Sequence, residues 1–106
     1  MDLLEKKEHY INLYDFYEAL LSEKQQEYFR QYYFDDLSLA EIAEQYQVSR
    51  NAIYDHLKKT AVLLDQYEEK LGLVRKYQKR KEIYDAAMLL ENESVQALIQ
   101  KLKETE

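Results

Sequence analysis

Apolar residues recur three and four positions apart along almost the whole chain, the period of helices buried on one side. Tyr10, Leu13, Tyr14, Tyr17 and Leu21 form one stripe and predict a first helix over about Leu4 to Leu21. Ser22 with Gln25 three residues later has the spacing of a capping box. A second helix therefore runs to about Tyr33, burying a face of Tyr28, Phe29 and Tyr32, and ends in an acidic turn at Asp35 and Asp36. Ser38 and Glu41 repeat the capping spacing. They open a short third helix carrying Leu39, Ala40, Ile42, Ala43 and Tyr46. Ser49 caps a fourth.

That fourth helix is long. Ile53, Leu57, Ala61, Leu64 and Leu71 mark an apolar line flanked by Tyr54 and Tyr67, and Gly72 is a natural C-terminal stop. From Arg50 to Leu71 the helix would extend about 33 Å at 1.5 Å per residue. Only its first half fits a small three-helix core, so its second half needs another partner. A fifth helix runs from Leu73 to Glu91 with Tyr77, Tyr84, Ala87, Met88 and Leu90 apolar. Asn92 or Ser94 caps a last one bearing Val95, Leu98, Ile99 and Leu102. The fourth and fifth helices could pair antiparallel and dock on the first helix or on a second subunit. A twofold homodimer is the preferred arrangement; the rival is a monomer whose last two helices fold back over the first two.

Composition supports an all-α chain of one domain over residues 1–106. Proline is absent and glycine occurs once in 106 residues, so helix breakers and glycine-built phosphate loops are nearly missing. There is no cysteine, which excludes disulfides, thiolate metal sites and cysteine nucleophiles. The opening Met1-Asp2-Leu3-Leu4-Glu5-Lys6-Lys7-Glu8 lacks the apolar core of a signal peptide. No stretch approaches the roughly 20 apolar residues of a membrane span. A cytoplasmic protein with no membrane insertion is expected. The net charge of −6 is unevenly spread. Residues 35–48 carry four acids and no base, whereas 49–64 and 65–82 are each +2. The positive region begins where the fourth helix begins.

Residues 38–60 thus read as a helix-turn-helix, two capped helices separated by a few residues. Ala43 is small where the helices approach, Val48 is an apolar plug in the turn, and Ile53 and Leu57 hold the second helix to the core. The outer face of that helix presents Arg50, Asn51, Tyr54, Asp55 and Lys58. The first residues of a recognition helix reach base edges. Arg50 and Asn51 are suitable donors to guanine and adenine, while Lys58 and Lys59 suit phosphates. Asp55 and the acids Asp35, Asp36, Glu41 and Glu44 would repel a closely approaching nucleic-acid backbone.

From Leu21 to Leu64 the chain resembles the promoter-reading fourth region of bacterial sigma factors: a leucine-serine opening, an aromatic-rich helix, an acidic turn, then Glu41-Ile42-Ala43-Glu44 and Val48-Ser49. Asn51, Tyr54 and Asp55 depart from the more basic or small residues there, which argues against sequence-specific promoter recognition. Nearly the whole chain resembles the YlxM family of small bacterial proteins. The likeness runs through Phe16-Tyr17, Leu20-Leu21-Ser22, Gln26, Tyr32-Tyr33, Asp36, Ser38 to Glu44, Val48-Ser49-Arg50, Ala52-Ile53-Tyr54-Asp55 and Tyr67-Glu68. It implies a sigma region 4-like fold of the winged-helix-like DNA-binding superfamily, without a wing, and with a C-terminal helical extension over 65–106. It also implies a cytoplasmic regulator tied to the signal recognition particle pathway through the particle's RNA or its GTPase.

Arg75, Lys76, Lys79, Arg80 and Lys81 form the densest basic run, with Tyr77 and Tyr84 interleaved. Arg75, Lys76, Lys79 and Arg80 could extend a phosphate-binding surface, or form a solvated helix face paired with Glu68, Glu69 or Glu82. Of eleven tyrosines, Tyr10, Tyr14, Tyr17, Tyr28, Tyr32 and Tyr84 stand at core spacing; exposed ones could stack on bases or anchor a protein. His9 and His56 lie in different helices with no recognisable metal set, and no cofactor is implied. No nucleophile, base and orienting group occur together, so an enzyme is not expected. Two readings follow: a non-catalytic nucleic-acid-binding regulator with DNA or the particle's RNA as partner, or a protein-interaction adaptor or structural dimer.

Overall fold

The computed structural model describes residues 6–106, so the predicted start of the first helix at Leu4 lies outside the described residues. The elements are α1 (Lys7–Tyr17), a 3-10 turn (Glu18–Leu20), α2 (Glu23–Tyr33), α3 (Leu39–Tyr46), α4 (Arg50–Leu71), α5 (Leu73–Met88) and α6 (Glu93–Glu104). The all-α class expected from the sequence is what forms. The chain divides into two compact units, one ending at Gly72 and one from Leu73 to Glu106.

The helix starts are set by short-range chemistry. At α2 the Gln25 amide donates to Ser22 Oγ at 3.1 Å and the Ser22 amide donates to Gln25 Oε1 at 2.8 Å. At α3 the Glu41 amide donates to Ser38 Oγ at 3.0 Å and the Ser38 amide to Glu41 Oε1 at 3.1 Å. At α4 the Ala52 amide donates to Ser49 Oγ at 3.0 Å. Each cap satisfies amides that have no partner within their helix. The first helix is shorter than its stripe suggested. Its α-helical part stops at Tyr17 and three residues of 3-10 helix carry the chain to Leu21.

In the first unit α4 is the central element, packed by α1, α2 and α3. Tyr10, Leu13, Tyr14 and Tyr17 of α1, Tyr28, Phe29 and Tyr33 of α2, Leu39, Ile42 and Ala43 of α3, and Ile53, Leu57, Ala61 and Leu64 of α4 are buried. Tyr14 stacks on Phe29 with ring centroids 4.3 Å apart, and Phe29 stacks on Tyr33 at 4.3 Å. Tyr33, four residues after Phe29, takes the core place expected of Tyr32, which is half-buried.

The second half of α4 finds its partner in α1. The Tyr10 hydroxyl donates to Asp65 at 2.8 Å and the Tyr17 hydroxyl donates to Glu68 at 2.6 Å. His9 Nε2 lies 3.0 Å from Asp65, and the Tyr67 hydroxyl donates to the Leu20 carbonyl at 3.4 Å. Aromatic rings are buried while their hydroxyls reach carboxylates at the rim. Burial first, then the hydrogen bond and charge of Asp65, push the Tyr10 hydroxyl's pKa well above the ordinary tyrosine range. Leu71, expected on the apolar line, is exposed in the last turn of α4. Gly72 ends the helix in the left-handed region at φ 63°, its amide donating to Glu68 O at 2.8 Å.

In the second unit α5 and α6 pack together through Tyr84 and Ile99, the buried side chains among its described residues. The predicted continuation of the fifth helix to Glu91 does not form. The Leu90 and Glu91 amides donate to Ala87 O and Met88 O, and Glu91 takes φ 52°, which turns the chain away. Asn92, not Ser94, caps α6 by accepting from the Val95 amide at 3.1 Å. Tyr77, Met88, Leu90, Leu98 and Leu102, expected on packed faces, are exposed; Val95 and Ala87 are half-buried. A two-helix hairpin has one inner face per helix, and here Tyr84 and Ile99 occupy it.

Candidate nucleic-acid interface

The helix-turn-helix consists of α3, the turn Gln47-Val48-Ser49 and the start of α4. Its turn is closed by backbone geometry. Gln47 adopts φ 56°, ψ 44°, its amide donates to Glu44 O, and the Val48 amide donates to Ala43 O at 3.0 Å. These are the two bonds of a Schellman stop. The apolar plug expected at Val48 is not needed, and that side chain is 43 % exposed.

On α4, Ile53 and Leu57 face the core as expected. Arg50, Asn51, Asp55, Lys58 and Lys59 are exposed, and Tyr54 is half-buried. Asn51, Asp55, Lys58 and Val62, spaced four, three and four apart, form one outer stripe. The small side chain of Ala52 is also exposed. Sequence reasoning passed it over, although an alanine early in a recognition helix can meet a thymine methyl.

A further cation comes from α2. Lys24 Nζ lies 4.6 Å from the Tyr46 ring centroid and 5.4 Å from that of Tyr28. Its charge and that of Lys59 both bear on His56, whose ring meets Tyr28 edge-on at 4.6 Å. Burial first, then Lys59 and Lys24, hold the His56 imidazole below its usual pKa. Nothing local in the sequence marks Lys24, because its neighbourhood is made by helix packing. Of the acids expected to repel a backbone, Asp55 stands on the outer stripe of α4 itself, between Asn51 and Lys58. Glu41 and Glu44 of α3, with Leu37 and Gln45, line a shallow cleft of about 350 Å³. Asp36 pairs with Lys7 at 2.9 Å. The Glu41 carboxyl sits below the ordinary range because the Ser38 amide and then its hydroxyl bond it.

The remaining predicted site residues lie on α5, in the other unit. Arg75, Lys76 and Lys79 are exposed. Arg80 pairs not with Glu68, Glu69 or Glu82 but with Glu106, Nε to Oε1 at 2.6 Å, and Glu106 also accepts from the Tyr84 hydroxyl at 3.0 Å. Among the described residues no three His, Cys, Asp or Glu side chains gather as metal ligands, and no helix is long and apolar enough to cross a membrane.

Two capped helices at a three-residue turn, the second offering polar and cationic side chains from its first turn, define a helix-turn-helix protein. The chain belongs to the family described as "Putative helix-turn-helix protein, YlxM / p13 like", whose pattern matches residues 4–105. It is 49 % identical to the YlxM protein of Bacillus subtilis over 105 residues, spanning 94 % of this chain and 96 % of that protein. It is 57 % identical over 83 residues to a relative in Geobacillus kaustophilus, covering 78 % of this chain and 76 % of the relative. With a Listeria innocua relative it shares 52 % over 83 residues, again 78 % and 76 %.

Proposed function

We propose that this chain is a non-catalytic nucleic-acid-binding regulator whose contact surface is the exposed side of α4. One observation carries the reading: the first turns of α4 leave Arg50, Asn51, Lys58 and Lys59 exposed while Ile53 and Leu57 anchor the same helix. Arg50 and Asn51 stand where base edges are reached, with Tyr54 beside them. Lys58, Lys59 and Lys24 attract phosphate. The α3 acids, on a separate cleft, disfavour the opposite approach and so orient the ligand. The cytoplasmic signal recognition particle pathway is the setting that the family resemblance implies. DNA and the particle's RNA are the two ligands to compare.

The test is fluorescence anisotropy of the full chain with a labelled DNA duplex and with the particle's RNA at low salt. Binding is expected to weaken at least tenfold in Arg50→Ala with Asn51→Ala. Absence of binding to both ligands at low salt refutes the reading. A protein-interaction adaptor is the second reading, favoured by the exposed apolar side chains of α5 and α6. Under it, the same double variant leaves partner binding intact.

A further inference from the structure

His56 stands where a core and a charged surface meet. Its ring is half-buried on α4 and meets Tyr28 of α2 edge-on at 4.6 Å. Nδ1 is buried with no hydrogen-bond partner, which leaves Nε2 as the nitrogen that can meet another molecule. A packing role alone would be better served by an apolar ring, because an unpartnered buried nitrogen costs stability.

Two exposed lysines flank the imidazole from different helices. Lys59 follows it by three residues on the same side of α4. Lys24 reaches over from the first turn of α2. Its Nζ lies 4.6 Å from the Tyr46 ring centroid and 5.4 Å from that of Tyr28, and the two rings meet edge-on at 4.8 Å. The tyrosines thus hold the Lys24 charge beside His56. From α3 the facing group is Tyr46, whose hydroxyl accepts from Gln31 Nε2 at 2.9 Å. Two acids are near. Asp55 adjoins His56 in sequence on the outer stripe, and Glu27 lies 3.8 Å from Lys24 Nζ, a loose exposed pair that a phosphate can replace. The charges that bear on the imidazole are both positive, Lys59 and Lys24, and after burial they favour its neutral form in the free chain.

A phosphodiester of a nucleic acid seated here reverses that balance. Its negative charge offsets the two lysines, and its oxygen accepts from Nε2. The imidazolium donates more strongly to it than the neutral ring does. We propose that Lys24, His56 and Lys59 form one phosphate-binding subsite, and that filling it loads a proton onto His56. This rests on the reading of α4 as the nucleic-acid contact surface. Linkage then requires the converse: raising the pH, which removes that proton, weakens binding. Nucleic-acid affinity therefore falls as pH rises through the imidazole range. A rise of one pKa unit on binding corresponds to about tenfold in affinity at a pH below both values.

Fluorescence anisotropy of the full chain at fixed low ionic strength tests this, with the labelled DNA duplex and the particle's RNA in separate arms. Each arm is read about one pH unit below and above 6.5. Where binding occurs, affinity should be roughly threefold or more higher at the acid pH, and His56→Gln should remove most of that ratio. Lys24→Ala should weaken binding at both pH values and flatten the salt slope by about one unit. Far-UV circular dichroism checks that both variants remain helical. Proton NMR of the unsubstituted chain adds a readout that packing would not move. The His56 Cε1 proton should titrate at higher pH with nucleic acid bound than without it. That of His9, which faces Asp65 across the α1–α4 seam, should not shift. A pH ratio unchanged by His56→Gln, binding indifferent to Lys24→Ala, or a His56 titration indifferent to ligand overturns the subsite while leaving α4 as the contact surface. Binding to neither ligand overturns both.

Discussion

Gln47 holds a position that suits glycine. At φ 56° an L-residue crowds its Cβ against the following carbonyl, at a cost of about 1 to 2 kcal/mol, partly offset because glycine loses more freedom on folding. Gln47→Gly should therefore raise stability by about 0.5 kcal/mol, and Gln47→Val, β-branched, should lower it by about 1 kcal/mol or more. Urea denaturation reads both. His56 supplies a pH signature. Its pKa is lowered on folding, so the unfolded chain takes up a proton more readily than the native one. The stability this neutral imidazole contributes is complete above the ordinary value of 6.5 and drains away as pH falls through the native value. Denaturant midpoints compared above and below pH 6.5 should drop less in His56→Gln than in the unsubstituted chain. An equal drop would assign the loss to other groups.

At the level of elements, the caps and the α1–α4 seam make separable contributions. Ser49→Ala removes the side-chain acceptor at the start of α4 and should cost about 1 kcal/mol. It should also loosen the turn that presents Arg50 and Asn51. Tyr17→Phe keeps a fully buried ring but removes its bond to Glu68. Because the carboxylate keeps access to water, a loss of about 1 kcal/mol is expected rather than the larger figure for a buried charged pair. Thermal melts rank the two. If Tyr17→Phe were neutral, the bond to Glu68 would add nothing to the ring packing and the Tyr10–Asp65 bond that also hold α1 on the second half of α4. The partner that half of α4 needs comes from within its own unit, since the α1 stripe of tyrosines fits the continuation of the Ile53–Leu64 line.

For the whole molecule, the two units should differ in cooperativity. The first has a contiguous aromatic and aliphatic core on four helices, whereas the second buries Tyr84 and Ile99. Amide exchange should be slowest around Ile53 to Leu64 and faster in α5 and α6. Ligand binding adds a second whole-molecule measure. Each phosphate contact contributes a slope of about −0.9 in log affinity against log salt for duplex DNA. Lys58→Ala with Lys59→Ala should therefore flatten that slope by about two units. An unchanged slope would place the phosphate contacts elsewhere.

What the amino-acid sequence determined by itself is what depends on neighbours a few residues apart: the helical period, the capping boxes at Ser22 and Ser38, the cap at Ser49, the stop at Gly72, and with them the helix-turn-helix. Those interactions close within one or two turns of chain. Tertiary structure decided the rest. It chose Tyr33 over Tyr32 for the core, seated Tyr10 and Tyr17 against Asp65 and Glu68, brought Lys24 to the Lys59 side of the motif, and left Val48 and the α5–α6 leucines in water. Periodicity tells which residues can share a face, but which face is covered depends on elements far apart in the chain. Their approach is set by shape and by where buried hydroxyls find acceptors, and no local pattern records either.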